Sequence, residues 1–375
     1  MKVAILTFKF HSNFGFIMQA YALQQAIKRL GHDPYTFDLR NEQVPLHIKV
    51  KTSIKNAYLR IFKNQNVPIF KYWPTQDDFD IIDKNTYAFI NDNIQLTPYI
   101  KNIKELYSID NSEYGAFIVG SDQVWRARFS PKISSYFFDF VSDNRPRMAY
   151  AASFGTSDID YRKNELKECA KLIQKFEKVT VREADGVTIC KKYFNINAQH
   201  VLDPTFLVDK EHYERLADKS EVINEGKPYI FTYILEPGNS QLMKFVKEKS
   251  HELNLPVVNM LPKNYINSNK KEIRNLVYPS IYKLLRGFRD ADYVITDSFH
   301  GTAFSIILNK EFSVFLNGHG NSRIYSILSY FNISSRLIDD NYNPEILNWH
   351  DINAKIQEKQ KESFEILGDF LNISK

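Results

Sequence analysis

Short apolar runs and helix-spaced apolar positions alternate along most of the chain. Lys2–Phe8 is an apolar run of strand length, and a polar loop from Lys9 to Gly15 follows it. Phe16, Ala20, Leu23, Ile27 and Leu30 then recur at helical spacing, and Gly31 closes that helix. Pro34–Asp38 reads as a second strand. Strand, loop, helix, strand is how a parallel α/β sheet begins.

Residues 41–110 interrupt the pattern. Their helical periodicity is weak, centred on Ile54–Phe62 and Phe79–Asn93, and they read as an insertion of helices and loops. Strands resume at Ala116–Val119, Met148–Ala152 and Val179–Val181, with helices over Leu166–Phe176 and Asp185–Tyr193. Residues 219–228 combine charge with Asn, Gly and Pro and make the best linker. Strands then fall at Tyr229–Leu235, Pro256–Asn259, Asp292–Thr296 and Phe312–Phe315. Helices fall at Gln241–Leu253, Ile281–Phe288, Gly301–Asn309 and Arg323–Phe331, and Trp349–Phe370 is a last helix with a charged face. The expected architecture is α/β, with two halves around a cleft. The first half is residues 1–218 with the insertion at about 41–110, the second is 219–345, and 346–375 is a C-terminal helix. Such sheets bind ligands just beyond the carboxyl ends of their strands.

Composition narrows the function classes. Of 375 residues, 43% are hydrophobic and 25% charged, an ordinary globular balance that excludes a disordered or fibrous chain. The net charge of +5 suits an anionic small molecule or an anionic lipid surface and lacks the dense basic footprint of a nucleic-acid binder. The two cysteines, Cys169 and Cys190, form no CxxC pair and fall on expected helices, so they read as buried and inert. The histidines show no HxxxH or HxH spacing, and no metal site is expected. The first apolar run is too short for a signal peptide, and no stretch approaches the roughly 18 apolar residues of a membrane span. The cytoplasm is the expected compartment. The mild positive charge permits attachment to the inner face of a membrane without requiring it.

Chemistry concentrates where strands end. Tyr293–Thr296 runs into Asp297-Ser298-Phe299-His300-Gly301-Thr302, which puts His300 at a strand's carboxyl end and a helix start. Unpaired N–H groups and the helix dipole make such a place an anion site, and a histidine there can bind a phosphate or carboxylate or give up a proton. Alternatively, Asp297 or Ser298 caps the helix and His300 packs in the turn. Arg182 leaves the strand Val179–Val181 and can fork onto a phosphate, or pair at the surface. Asp122 follows Gly120-Ser121 and can hold a sugar hydroxyl or take its proton, or cap a helix containing Trp125. His11 and Asn13 lie in the first strand–helix loop, where GxGxxG is absent, so a dinucleotide cofactor is not expected. Arg323, just after the turn Asn317-Gly318-His319-Gly320, can bring a second cation to the cleft or stay solvated.

Six blocks taken in order carry a resemblance. They are Lys2–Leu30 with Asn13-Phe14-Gly15 and Gln19-Ala20-Tyr21-Ala22-Leu23-Gln24; Gly120 through Trp125; Ala151-Ala152-Ser153-Phe154-Gly155; Val181-Arg182-Glu183; Leu202-Asp203-Pro204-Thr205; and Thr296 through Thr302. Together they resemble the polysaccharide pyruvyl transferase family. Phe16 departs from it, standing where small residues are usual, and residues 41–110 carry no matching block. The resemblance implies two Rossmann-like domains facing a cleft, similar to GT-B glycosyltransferases. It also implies transfer of a pyruvyl group from phosphoenolpyruvate to a pair of sugar hydroxyls, giving a ketal and phosphate. No cofactor is implied beyond that donor substrate, and the acceptor is a glycan or a lipid-linked sugar. By resemblance Arg182 and His300 engage the donor and Asp122 lies on the acceptor side; Phe299, Gly301 and Arg323 are further expected donor contacts, and His11 and Asn13 further expected acceptor contacts. His300, Arg182 and Asp122 are the expected catalytic residues. On these residues Arg182→Ala is expected to stop phosphate release and leave the protein folded. A nucleotide-sugar glycosyltransferase on the same scaffold is the alternative, and a carbohydrate-binding protein without catalysis is a second.

Overall fold

The structure, a computed structural model, describes residues 1–39, 46–65, 67–262, 270–318, 321–340 and 342–373. In the first half β1 (Lys2–Leu6), α1 (Phe14–Arg29) and β2 (Asp33–Thr36) open the fold. The insertion forms α2 (Leu46–Phe62), α3 (Gln76–Ile82) and α4 (Lys84–Asn93). Then come β3 (Ala116–Val119), β4 (Arg147–Ala152), α5 (Lys163–Leu172), β5 (Lys178–Val181), α6 (Ala184–Phe194), β6 (Gln199–His200) and α7 (Lys210–Ala217). The second half holds β7 (Ile230–Tyr233), α8 (Ser240–Leu253), β8 (Val257–Asn259), α9 (Ile281–Asp290), β9 (Tyr293–Thr296), α10 (Phe299–Ile307), β10 (Phe312–Val314) and α11 (Asn321–Phe331). The helix α12 (Trp349–Ile373) ends the chain's described part.

Among the described residues there are two sheets. One has six strands ordered β2-β1-β3-β4-β5-β6 and the other four ordered β10-β9-β7-β8. Every pairing is parallel. The strands Ala116–Val119, Ile230–Tyr233 and Tyr293–Thr296 are buried throughout, as strands covered on both faces must be. Parallel strands all deliver their carboxyl ends to one side, so the polar turns after β1, β3, β4, β5 and β6 gather there.

The two halves share apolar packing. Phe14, at the start of α1, lies 4.9 Å from the Phe304 ring and 5.9 Å from Phe288, both in the second half. Helix α7, on the N-terminal side of residue 218, packs on α9 of the second half. Helix α12 returns to the first half, where Ile366, Leu367, Phe370 and Leu371 cover Val3, Ile5 and Leu23. The short helix α7 is absent from the sequence reading, and the expected strand Pro34–Asp38 pairs over Asp33–Thr36. Both cysteines are free and buried, and burial pushes their thiols up, Cys190 to about 12. No described helix is long and apolar enough to cross a membrane.

Candidate active site

The site is built on four turns, each fixed by its own backbone. After β3, Asp122 holds φ at +77°, a left-handed conformation unusual for a residue with a side chain and common at functional turns. It is held there because its carbonyl accepts from Val124 N at 2.7 Å and Ser153 N at 2.9 Å, and its carboxylate accepts from Gln123 N at 2.7 Å. Val124 and Trp125 form a turn, and the short helical turn Ala127–Phe129 starts after Arg126, so Asp122 does not cap a helix containing Trp125. After β5, Arg182 enters the protein instead of the surface. After β6, Pro204 sets a short helical turn that starts at Asp203. After β9, α10 begins with Phe299 and His300.

These turns bring five side chains onto one buried cluster. Asp122, Arg182 and Asp203 are exposed by only 1%, 3% and 1%. Arg182 donates to Asp203 Oδ2 at 2.8 Å and to Asp122 Oδ1 at 3.3 Å. Asp203 also accepts from Ser121 Oγ at 2.8 Å, Thr205 Oγ1 at 2.8 Å and Thr205 N at 3.0 Å. His300 Nε2 lies 3.7 Å from Asp203 Oδ2, within ion-pair range but beyond a hydrogen bond. Arg323 Nη1 stands 3.8 Å from Asp122 Oδ1. The Phe299 ring lies under both cations, 4.3 Å from the Arg182 guanidinium carbon and 5.9 Å from that of Arg323. Arg182 comes from the first half and His300, Phe299 and Arg323 from the second, so Asp203 is where the halves meet electrostatically.

The electrostatics follow from burial and neighbours. Burial alone raises the Asp203 carboxyl, but His300 and Arg182 reverse this and hold it far below the usual carboxylate range. Burial and the nearby Arg182 lower the Arg323 guanidinium to about 10. Burial raises Glu183, although its Oε1 accepts from Ser153 Oγ and from the amides of Phe154 and Gly155. Burial lowers His11 to about 4, so its imidazole is neutral at physiological pH. Four side-chain atoms of the site are buried with no hydrogen-bond partner among the described residues: Asp122 Oδ2, Arg182 Nε, Glu183 Oε2 and His300 Nε2. A buried polar atom without a partner calls for an explanation, and a polar ligand or ordered water is one.

The start of α10 adds donors. Ser298 is its N-cap residue but makes no capping bond, and Asp297 is turned away, accepting from Leu235 N and Glu236 N at 2.7 and 2.8 Å. Neither side chain caps the helix; Ser298 N donates to Thr296 Oγ1 at 3.1 Å, which leaves the amides of Phe299, His300 and Gly301 for another acceptor. Gly301 sits tightly on Thr296 and Tyr233, and its missing side chain lets α10 approach the end of β9. Gly15 does the same for the first half: a Cβ there collides with the His300 ring. Gly15→Ala is therefore expected to displace His300 by about 1 Å and lower turnover ~10²-fold. Phosphate release together with thermal unfolding checks this, and unchanged release removes the contact from any functional account.

Of the remaining expected residues, His11 lines a cavity of about 310 Å³ at the carboxyl ends of β7 and β8, and Asn13 does not. His11 and Ser12 line it from the first half, and Leu235, Met243, Asn259 and Tyr278 from the second. Asn13 caps α1, its Oδ1 accepting from Phe16 N at 3.2 Å, and its own amide donates to His11 Nδ1. Phe16 packs against Phe8 and His11, so the bulky residue closes the base of this loop. His319 and Gly320 lie outside the described residues. Among the described residues no group of three His, Cys, Asp or Glu side chains can hold a metal.

A comparison of the sequence with protein families decides what this cluster belongs to. The profile described as polysaccharide pyruvyl transferase matches residues 13–319, most of the chain. The chain belongs to the polysaccharide pyruvyl transferase family. It is accordingly a transferase, and the cluster residues Asp122, Arg182, Asp203, Phe299 and His300 fall inside the matched span, with Arg323 just beyond it. Among curated proteins no sequence matches. Solved structures give likenesses at low score. The S. aureus MnaA–UDP co-structure aligns at TM-score 0.46 and 12% identity, over 98% of this chain and 91% of that one. A UDP-GlcNAc 2-epimerase from Neisseria meningitidis bound to UDP-GlcNAc aligns at 0.46 and 10%, over 99% of each chain. A UDP-glucosyltransferase from Polygonum tinctorium aligns at 0.46 and 9%, over 98% of each.

Asp203 and Glu183 belong to this cluster but are not among the residues expected from the sequence. Asp203 joins Arg182 to His300, yet only its place in the block Leu202–Thr205 signalled it.

Proposed function

We propose that the chain transfers the pyruvyl group of phosphoenolpyruvate to two hydroxyls of a sugar, forming a ketal and releasing phosphate. One observation supports this most: an imidazole and a guanidinium from opposite halves meet on a single buried carboxylate, beside an uncapped helix start. Phosphoenolpyruvate carries a phosphate and a carboxylate on three carbons. Clustered cations and free amides suit such a dianion better than either alone.

His300 gives a proton to the methylene carbon of the donor, which becomes a methyl group. A sugar hydroxyl oxygen bonds to the electron-poor C2, and Asp122 takes its proton through the unpartnered Oδ2. The bond from C2 to the phosphate oxygen breaks, and the leaving phosphate is met by the amides of α10 and by Arg182 and Arg323. A second hydroxyl closes the ketal at C2. One of the two hydroxyl protons replaces the one spent by His300, and the other leaves on phosphate. The cavity beside His11 gives the acceptor sugar its room.

Ligand-dependent melting tests the donor. Phosphoenolpyruvate at a hundred times its dissociation constant is expected to add about 2.7 kcal/mol of stability. UDP, GDP and their sugars are expected to add none. A shift with a nucleotide and none with phosphoenolpyruvate overturns the proposal in favour of a nucleotide-sugar transferase.

A further inference from the structure

Helix α2 has no part in the core. None of its residues is buried. Leu46, Val50, Ile54 and Tyr58 follow at steps of four, with Ala57 and Ile61 between them on the helical projection, so they form one apolar stripe. Leu46 is 75% exposed, Ile54 66% and Ile61 67%. Lys51 and Lys55 flank the stripe on one side, Lys49 and Arg60 on the other. The aromatic series runs from Phe62 at the end of the helix to Phe70, both strongly exposed, and to Trp73, over whose ring Lys71 stands at 4.6 Å.

The charge of this segment is one-sided. Residues 43–75 include Lys49, Lys51, Lys55, Arg60, Lys63 and Lys71 and no Asp or Glu. That exceeds the net +5 of the whole chain, so the positive character resides in this segment and the remainder is slightly acidic. An exposed apolar stripe with basic flanks and nearby aromatic rings is the pattern of a helix lying in a lipid headgroup layer. A second copy of the chain is a poor occupant, because a two-fold contact sets the same patch against itself and brings these cations together with no acid to pair them.

We infer that α2 is a membrane-surface anchor that lies in the plane of an anionic phospholipid layer, its apolar stripe inserted and its lysines on the headgroups. The segment after it is tied to the cleft: Tyr72 packs with Ile82, Ile273, Leu276 and Tyr278, and Tyr278 lines the 310 Å³ cavity. An anchored molecule thus holds that cavity wall by a short tether from the lipid surface. The anchoring stands apart from the ketal chemistry and is read without turnover.

Sedimentation of the full chain with vesicles tests it. Binding is expected to phosphatidylcholine vesicles containing phosphatidylglycerol, and not to phosphatidylcholine alone. It is expected to weaken at about 0.5 M salt, where screening shortens to a few Å. Each cation near an anionic surface is worth roughly fivefold in binding, so Lys51→Gln with Lys55→Gln is expected to weaken it about 25-fold. Ile54→Glu with Ile61→Glu is expected to abolish it. All four side chains are exposed, so circular dichroism and melting are expected to stay as in the parent. Absence of binding to the anionic vesicles overturns the inference, as does equal binding to neutral ones or retention by the glutamate variant. A dimer that the glutamate variant splits, with no vesicle binding, overturns it in favour of a second copy.

Discussion

Arg182→Ala is expected to destabilise the fold by about 3–5 kcal/mol, the cost of removing one partner from a buried charge cluster. The sequence alone suggests a variant that is folded and merely inactive; the structure corrects this. Without the guanidinium, Asp203 and Asp122 stay buried as anions, and the Phe299 ring loses the cation above it. Urea unfolding at neutral pH measures the loss, and a change below about 1 kcal/mol would mean that the cluster is not a structural element. The acid limb of stability gives a second reading. The Asp203 carboxyl titrates far lower in the folded chain than in the unfolded one, so its contribution is complete above about pH 4 and is lost as pH falls below that. Asp203→Asn is expected to be less stable at neutral pH and to lose this part of the acid dependence.

His300→Ala is expected to cut phosphate release from phosphoenolpyruvate by at least ~10²-fold, about 3 kcal/mol of barrier, with a smaller loss of stability than Arg182→Ala. The contrast with Arg182 comes from connectivity. Arg182 makes charged hydrogen bonds to both carboxylates, whereas His300 Nε2 makes none, and the Nδ1 side of the His300 ring lies against Gly15. Deleting it strands no short hydrogen bond. Phosphate release with a glycan acceptor, followed over time, is the measurement. Turnover at the parent rate removes His300 from the mechanism, whatever its position.

Much of the scaffold was legible because it is local. The βαβ opening, the buried runs at Ala116–Val119 and Tyr293–Thr296, and the helices Ile281–Asp290 and Asn321–Phe331 each announce themselves within a dozen residues. Arg182 and His300 were legible as polar residues at strand ends. Their relation was not. Asp203 couples them across separations of 21 and 97 residues, and no periodicity encodes such a meeting. Asn13 was legible as a polar residue of the first strand–helix loop, and the structure adds that its Oδ1 caps the adjacent helix. Helix α2 was seen only in its second half. Its apolar stripe is the same signal a core helix gives, and only the exposure of Ile54 and Ile61 in three dimensions tells them apart.

Phe14 has a bearing on how the enzyme can move. It belongs to α1, yet it sits among Tyr233, Phe288 and Phe304, inside one continuous apolar mass that also holds Phe89, Tyr213 and Phe231. Swinging the lobes apart as rigid bodies would bring these rings into water. Admission and release of small molecules must then fall to rearrangement of the strand-end turns, and neither lobe is built to stand as a separately folding fragment.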